Sequence, residues 1–116
     1  MPPRHWKLRI EDILAAIERI QRYTDGMDLS SFSRDDRTVD AVVWNITVIG
    51  EAAGAVPEDV RRKHPKLPWD EMRGIRNVIV HEYFGVSLPI LWQTVTADLP
   101  PLIPLLKQIL SSGESA

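Results

Sequence analysis

The sequence predicts an all-α fold, an antiparallel bundle of four or five helices. Three observations carry this expectation: apolar residues recur at spacings of three and four in several stretches, no period-two alternation runs long enough to make a strand, and Pro- and Gly-containing segments punctuate the helical patterns. With 116 residues, 44% hydrophobic and 26% charged, the composition is that of a globular protein. Such a chain buries roughly two-thirds of its unfolded surface, enough for one core, so a single domain over residues 1–116 is expected.

Leu8, Ile10, Ile13, Leu14, Ile17 and Ile20 repeat at helical spacing and predict a first helix from about Lys7 to Tyr23. The stretch from Thr24 to Asp35 is rich in Ser, Asp and Gly, whose side chains compete for backbone hydrogen bonds or tolerate unusual dihedrals, and it reads as a loop. Val39, Val42, Val43, Ile46, Ile49 and Ala53 restore the three-four spacing over about Asp36 to Ala55. That helix is rich in β-branched residues with modest helix propensity, so packing must hold it. Pro57 fits the start of a short helix over Glu58 to Lys63, and Pro65 and Pro68 stop it.

Trp69, Met72, Ile75 and Ile79 place one apolar stripe on a helix from Trp69 to about Val80. Gly74 in its middle costs about 1 kcal/mol relative to Ala and points to a close helix approach there. Gly85 closes the segment. Ser87 is the N-cap expected for a last helix through Leu91, Trp92 and Val95, which Pro100, Pro101 and Pro104 should break or kink before Leu105 to Leu110 resumes. The tail beyond Ser111 is expected to fray.

Composition also excludes function classes. Without cysteine there are no disulfides, thiolate metal sites or cysteine nucleophiles, which fits a reducing compartment. No apolar run approaches the roughly 18 residues a membrane helix needs, and Met1 to Arg9 carries charges and prolines where a signal peptide has an apolar stretch, so a cytoplasmic location is expected. The net charge of −2 argues against binding nucleic acid with the whole surface. Charge is nevertheless segregated. Arg61, Arg62, Lys63, Lys66, Arg73 and Arg76 stand against Asp70 and Glu71, six positive charges to two negative, so this stretch is locally +4 and the remainder −6. A solvated basic face and a phosphate-contacting patch are both open readings of it.

The chain has no glycine-rich phosphate loop, no nucleophile elbow and no His-Glu-x-x-His pattern. His5, His64 and His81 lie far apart, and no pair has helical metal-ligand spacing, so neither metal nor cofactor is expected. What remains is Arg76-Asn77-Val78-Ile79-Val80-His81-Glu82-Tyr83. On an ideal helix Asn77 and His81 share a face, Arg76 and Tyr83 share another about 20° out of line, and His81 lies about 140° from Arg76. Arg76 and His81 converge only if the helix ends near His81, if the arginine swings across, or if a second subunit supplies one of them. By spacing alone, a surface arginine and a histidine favourably placed at a helix C-terminus remain an open reading.

This stretch matches the R-x4-H-x-Y motif of HepT-like proteins of the HEPN superfamily, including the Asn after the Arg. Ile49-Gly50-Glu51-Ala52, Trp69, Met72-Arg73 and the Trp92 to Pro100 segment are similar to the family pattern as well, so the resemblance covers nearly the whole chain. It implies a HEPN-like helical fold and a metal-independent ribonuclease acting as the toxin of a toxin-antitoxin pair, with a minimal nucleotidyltransferase as antitoxin. It further implies Arg76 and His81 as catalytic residues, Asn77 in support, and AMP attached to Tyr83 by the antitoxin. Arg73, Arg61, Arg62, Lys63 and Lys66 then become contacts for RNA phosphates. The residue types suit the reaction: attack by the neighbouring 2'-hydroxyl needs a base, an acid for the leaving oxygen and positive charge on the phosphate. Imidazole titrates near neutrality and guanidinium grips phosphate bidentately. One chain offers one histidine in the segment, whereas a symmetric homodimer offers two around a shared groove. A non-catalytic helical module serving a nucleotidyltransferase is the alternative.

Overall fold

The computed structural model describes residues 5–75 and 87–112, and every regular element among them is helical. In chain order these are α1 (Trp6–Thr24), α2 (Leu29–Ser33), α3 (Asp36–Gly54), α4 (Glu58–Lys63), α5 (described over 69–75), α6 (Leu88–Gln93), a π-helical turn (Thr94–Asp98) and α7 (Leu102–Leu110). They form a helical bundle, as the sequence predicts.

α1 and α3 are its spine, and both follow their three-four patterns. Ile10, Ile13, Ile17 and Ile20 of α1 pack against Val42, Ile46 and Ile49 of α3, all sealed from solvent. Leu8, expected on this stripe, is instead 38% exposed. It lies about 120° around the helix from Ile20 and about 160° from Ile10, on the face turned away from the stripe. α7 lays Leu102, Leu106 and Ile109 onto the same core beside α1. The α1–α3 seam also holds one polar bridge. The Arg19 Nε donates to Asn45 Oδ1 at 2.8 Å while Asn45 Nδ2 donates to the Ala41 carbonyl at 2.8 Å, which satisfies an amide that is only 3% exposed.

The segment between α1 and α3 is more ordered than the loop its composition predicts. Gly26 turns the chain with φ +75, and α2 follows. Asp28 Oδ1 accepts from the Ser31 N–H at 2.8 Å, and Ser31 Oγ accepts from the Asp28 N–H at 3.0 Å, a reciprocal capping box. Phe32, fully buried, then anchors the short helix against Trp92 of α6 at 4.9 Å between ring centroids. The Ser and Asp residues that read as turn formers are here starting helices. Asp35 does the same for α3, accepting from the Thr38 N–H at 3.0 Å. The backbone donors at Ser31 and Thr38 hold the Asp28 and Asp35 carboxyls below the ordinary carboxylate range, so both caps stay ionised at neutral pH.

Of the C-terminal prolines, Pro100 and Pro101 interrupt the helix as expected, whereas Pro104 does not. Thr94 Oγ1 and Thr96 Oγ1 donate back to the Ile90 and Trp92 carbonyls, and the Leu99 N–H reaches the Thr94 carbonyl at 3.0 Å, so α6 widens into a π turn before the chain bends at Pro100. α7 then begins at Leu102, ahead of Pro104 rather than after it. Pro104 sits in the first turn, where a backbone N–H has no intrahelical partner to lose. No helix among the described residues is long and apolar enough to cross a membrane.

Candidate functional site

Pro57 precedes α4 without a side-chain cap, and Glu58 and Asp59 in the first turn with Arg61, Arg62 and Lys63 in the last complement the helix dipole. Pro65 and Pro68 keep the helix from continuing. The Leu67 N–H donates to the His64 carbonyl at 3.3 Å, and the Trp69 Nε1 donates to the same oxygen at 2.9 Å, tying the turn to α5. α5 starts with the Met72 N–H on the Pro68 carbonyl at 2.9 Å and buries Trp69 and Met72, with Ile75 packed at the edge of the core.

Gly50 of α3 sets how close α5 comes. A Cβ built on Gly50 meets Ile75 Cγ2 and the Met72 carbonyl oxygen at 3.5 Å each and the Arg73 carbonyl oxygen at 3.6 Å. At Gly74, where the sequence predicts the close approach, no described atom lies within 4 Å of such a Cβ. Among the described residues the close glycine contact is therefore on α3, in the Ile49-Gly50-Glu51-Ala52 segment. Gly50→Ala meets only ordinary contact distances and is expected to leave stability unchanged or raised by up to about 1 kcal/mol through helix propensity. Gly50→Leu overpacks the α3–α5 seam, a cost of about 1–3 kcal/mol, and shifts the backbone that leads into Arg76. Urea midpoints read the first effect and RNA cleavage the second. A Leu variant equal to the parent in both contradicts this role.

Of the predicted site residues, Arg76, Asn77, His81 and Tyr83 lie outside the described residues. The basic residues leading up to them are described, and they separate into groups. Arg61 is half-buried on α4, and Arg73 is exposed on α5. Arg62 pairs with Glu58 at 2.9 Å, an exposed i,i+4 bridge that partly neutralises it. Lys63 and Lys66 are exposed and come together at the mouth of one cleft between the α4–α5 turn and α7. Sequence reasoning missed that cleft, because its floor comes from residues some forty positions downstream. It also missed Asn45, whose position on the Val42–Ile49 stripe was the signal that a polar group is buried there.

The other histidines have local structural roles. His5 caps α1, its Nδ1 accepting from the Lys7 N–H at 3.0 Å while its ring stacks on Trp6. His64 offers its backbone carbonyl to Trp69. Among the described residues no group of three or more His, Cys, Asp or Glu side chains is arranged to hold a metal ion.

The comparisons with known proteins agree with one another. The family model described as ribonuclease HepT-like matches residues 13–109, a span that includes the whole R-x4-H-x-Y segment. The chain is 42% identical over 93 residues to a Thermococcus cleftensis protein named "Probable ribonuclease HepT", covering 80% of this chain and 84% of that one. It is 37% identical over 101 residues to a "Putative RNase" of Caldanaerobacter subterraneus subsp. tengcongensis, covering 87% and 90%. With a "Putative RNase" of Methanocaldococcus jannaschii it shares 33% identity over 114 residues, 98% of each chain. No solved structure matches significantly. A helical bundle with this motif, matched over 13–109 and aligned nearly end to end with such relatives, belongs to the ribonuclease HepT-like family.

Proposed function

We propose that this protein is a metal-independent RNA endonuclease, the toxin of a toxin-antitoxin pair whose antitoxin is a minimal nucleotidyltransferase. The observation that carries the reading is the intact motif Arg76, His81 and Tyr83 in the sequence, inside the family-matched span, on a chain whose relatives are named as ribonucleases.

The reaction follows from the residue types. The 2'-oxygen attacks the adjacent phosphorus, the bond from phosphorus to the 5'-oxygen breaks, and the products are a 2',3'-cyclic phosphate and a 5'-hydroxyl. One imidazole takes the 2'-hydroxyl proton and a second delivers a proton to the leaving 5'-oxygen. Arg76 compensates the charge growing on the non-bridging oxygens, and Asn77, four residues before His81 in the sequence, supports the histidine. Since each chain brings one His81, the active form is a homodimer with the two Arg76 to Tyr83 segments lining one groove. Arg73, Arg61, Arg62, Lys63 and Lys66 extend positive charge along the substrate's path. Inhibition is covalent: the antitoxin transfers AMP from ATP to the Tyr83 hydroxyl, with pyrophosphate leaving. The site of action is the cytoplasm, where transcripts and ATP are both present.

Sedimentation tests the shared groove. The protein is expected to run as a dimer at micromolar concentration, and a monomer that still cuts RNA would rule the arrangement out. Incubation with RNA in excess EDTA tests the activity itself, with cutting expected.

A further inference from the structure

Between the α4–α5 turn and the last turns of α7 lies an open cleft of about 260 Å³. Its floor is aliphatic, from Leu67, Leu105 and Ile109, and Lys63 and Lys66 stand at its mouth beside Gln108. Among the described residues no carboxylate lines it. Leu67 and Ile109 are each 3% exposed, so the floor is part of the core and fixed in place. The wall carrying the lysines is fixed as well: two donors converge on the His64 carbonyl, and Pro65 and Pro68 restrict the backbone on either side of Lys66.

Both lysines are exposed and form no ion pair among the described residues, whereas neighbouring Arg62 is committed to Glu58. Two uncompensated point charges over an apolar floor select a ligand with an anionic group next to a flat, weakly polar body. A nucleotide within single-stranded RNA has that form, with the phosphate at the lysines and the base against the leucines and isoleucine. An acidic protein segment offers the charge without requiring a floor of this kind. Charge also favours RNA, because both lysines belong to the 61–76 stretch of the sequence, which is locally +4 in a chain otherwise at −6.

We propose that this cleft is an RNA-binding subsite outside the R-x4-H-x-Y segment, which holds one nucleotide of the substrate strand and raises the affinity of the enzyme for single-stranded RNA. The proposal rests on the ribonuclease reading. It assigns Lys63 and Lys66 to one bound phosphate group and gives α7 a role in substrate binding.

The test uses the full-length protein and a fluorescent 2'-O-methyl oligouridylate, which lacks the attacking hydroxyl and stays intact. The double substitution Lys63→Ala and Lys66→Ala is expected to lower the slope of log affinity against log salt by about 0.7, the value for one single-strand phosphate no longer neutralised. Gln108→Trp, which fills the mouth without changing charge, is expected to weaken binding about tenfold. For cleavable RNA the same variant should raise KM with kcat nearly constant, since it removes binding shared by ground and transition states. Circular dichroism melts confirm that both variants fold. If the parent binds and cuts RNA and both variants match it in affinity, slope and KM, the subsite is wrong and the ribonuclease reading stands. Variants that keep RNA affinity but lose binding to the nucleotidyltransferase identify a protein-docking surface and overturn the proposal. A parent that neither binds nor cuts RNA sinks the ribonuclease reading and the subsite together.

Discussion

Arg76→Ala and His81→Ala are each expected to reduce RNA cleavage by at least about 100-fold while leaving the helical content and melting temperature close to the parent's. The size follows from the roles. A positioned proton-transfer group contributes about 10²–10⁴-fold, and a preorganised charge on the developing oxyanion contributes about 10²–10³-fold. In a symmetric dimer one substitution removes both copies of the residue, so the loss falls toward the upper end. The two losses should not multiply in the double variant, because residues that act as one unit lose most of their effect with the first removal. Arg76→Lys separates charge from geometry: a lysine keeps the charge but not the bidentate grip, and partial activity is expected. Initial rates on a labelled RNA measure all four variants. Unchanged cutting in either alanine variant contradicts the assignment, and it would favour a helical module whose RNA cleavage belongs to a contaminant.

The second large effect is expected at Tyr83. Coexpression with the nucleotidyltransferase and ATP should add the mass of AMP to the Tyr83-containing peptide and bring cleavage to background. If the segment is helical through Tyr83, that residue lies about 10 Å along the axis from Arg76 and about 20° from the same face, so the attached phosphate and nucleoside occupy the groove that the RNA backbone must use. The added negative charge can pair with Arg76 or Arg73 and repels incoming phosphates. Inhibition then needs no change of fold, and near-identical melting curves are expected for the modified and unmodified proteins. Tyr83→Phe should escape inhibition and keep cutting in the presence of an active antitoxin. An unmodified Tyr83 in the inhibited complex, or a Phe variant still silenced by nucleotide transfer to another residue, would sink the assignment.

The helical architecture is legible in the sequence where burial imposes periodicity. Ile10, Ile13, Ile17 and Ile20 against Val42, Ile46 and Ile49 are a tertiary fact that each helix announces by itself. What misled the reading were residues whose chemistry has two outcomes. Asp28 and Ser31 serve a turn or a capping box equally well, and only the burial of Phe32 decides for α2. Pro104 is a breaker in a helix interior and harmless three residues into α7. A glycine signals a close approach without saying which helix approaches, and among the described residues that approach is seen at Gly50. The R-x4-H-x-Y motif is legible because it is contiguous in the sequence. The Lys63–Lys66 cleft was not, since Leu105 and Ile109 reach it only through the packing of α7.

The most direct test of the central claim is the chemistry of the RNA ends made in excess EDTA. Mass spectrometry of the products is expected to show 2',3'-cyclic phosphates and 5'-hydroxyls, formed by the parent protein and absent with His81→Ala. Intact RNA, a requirement for added divalent metal, or products ending in 3'-hydroxyl and 5'-phosphate would contradict a metal-independent ribonuclease built on Arg76 and His81.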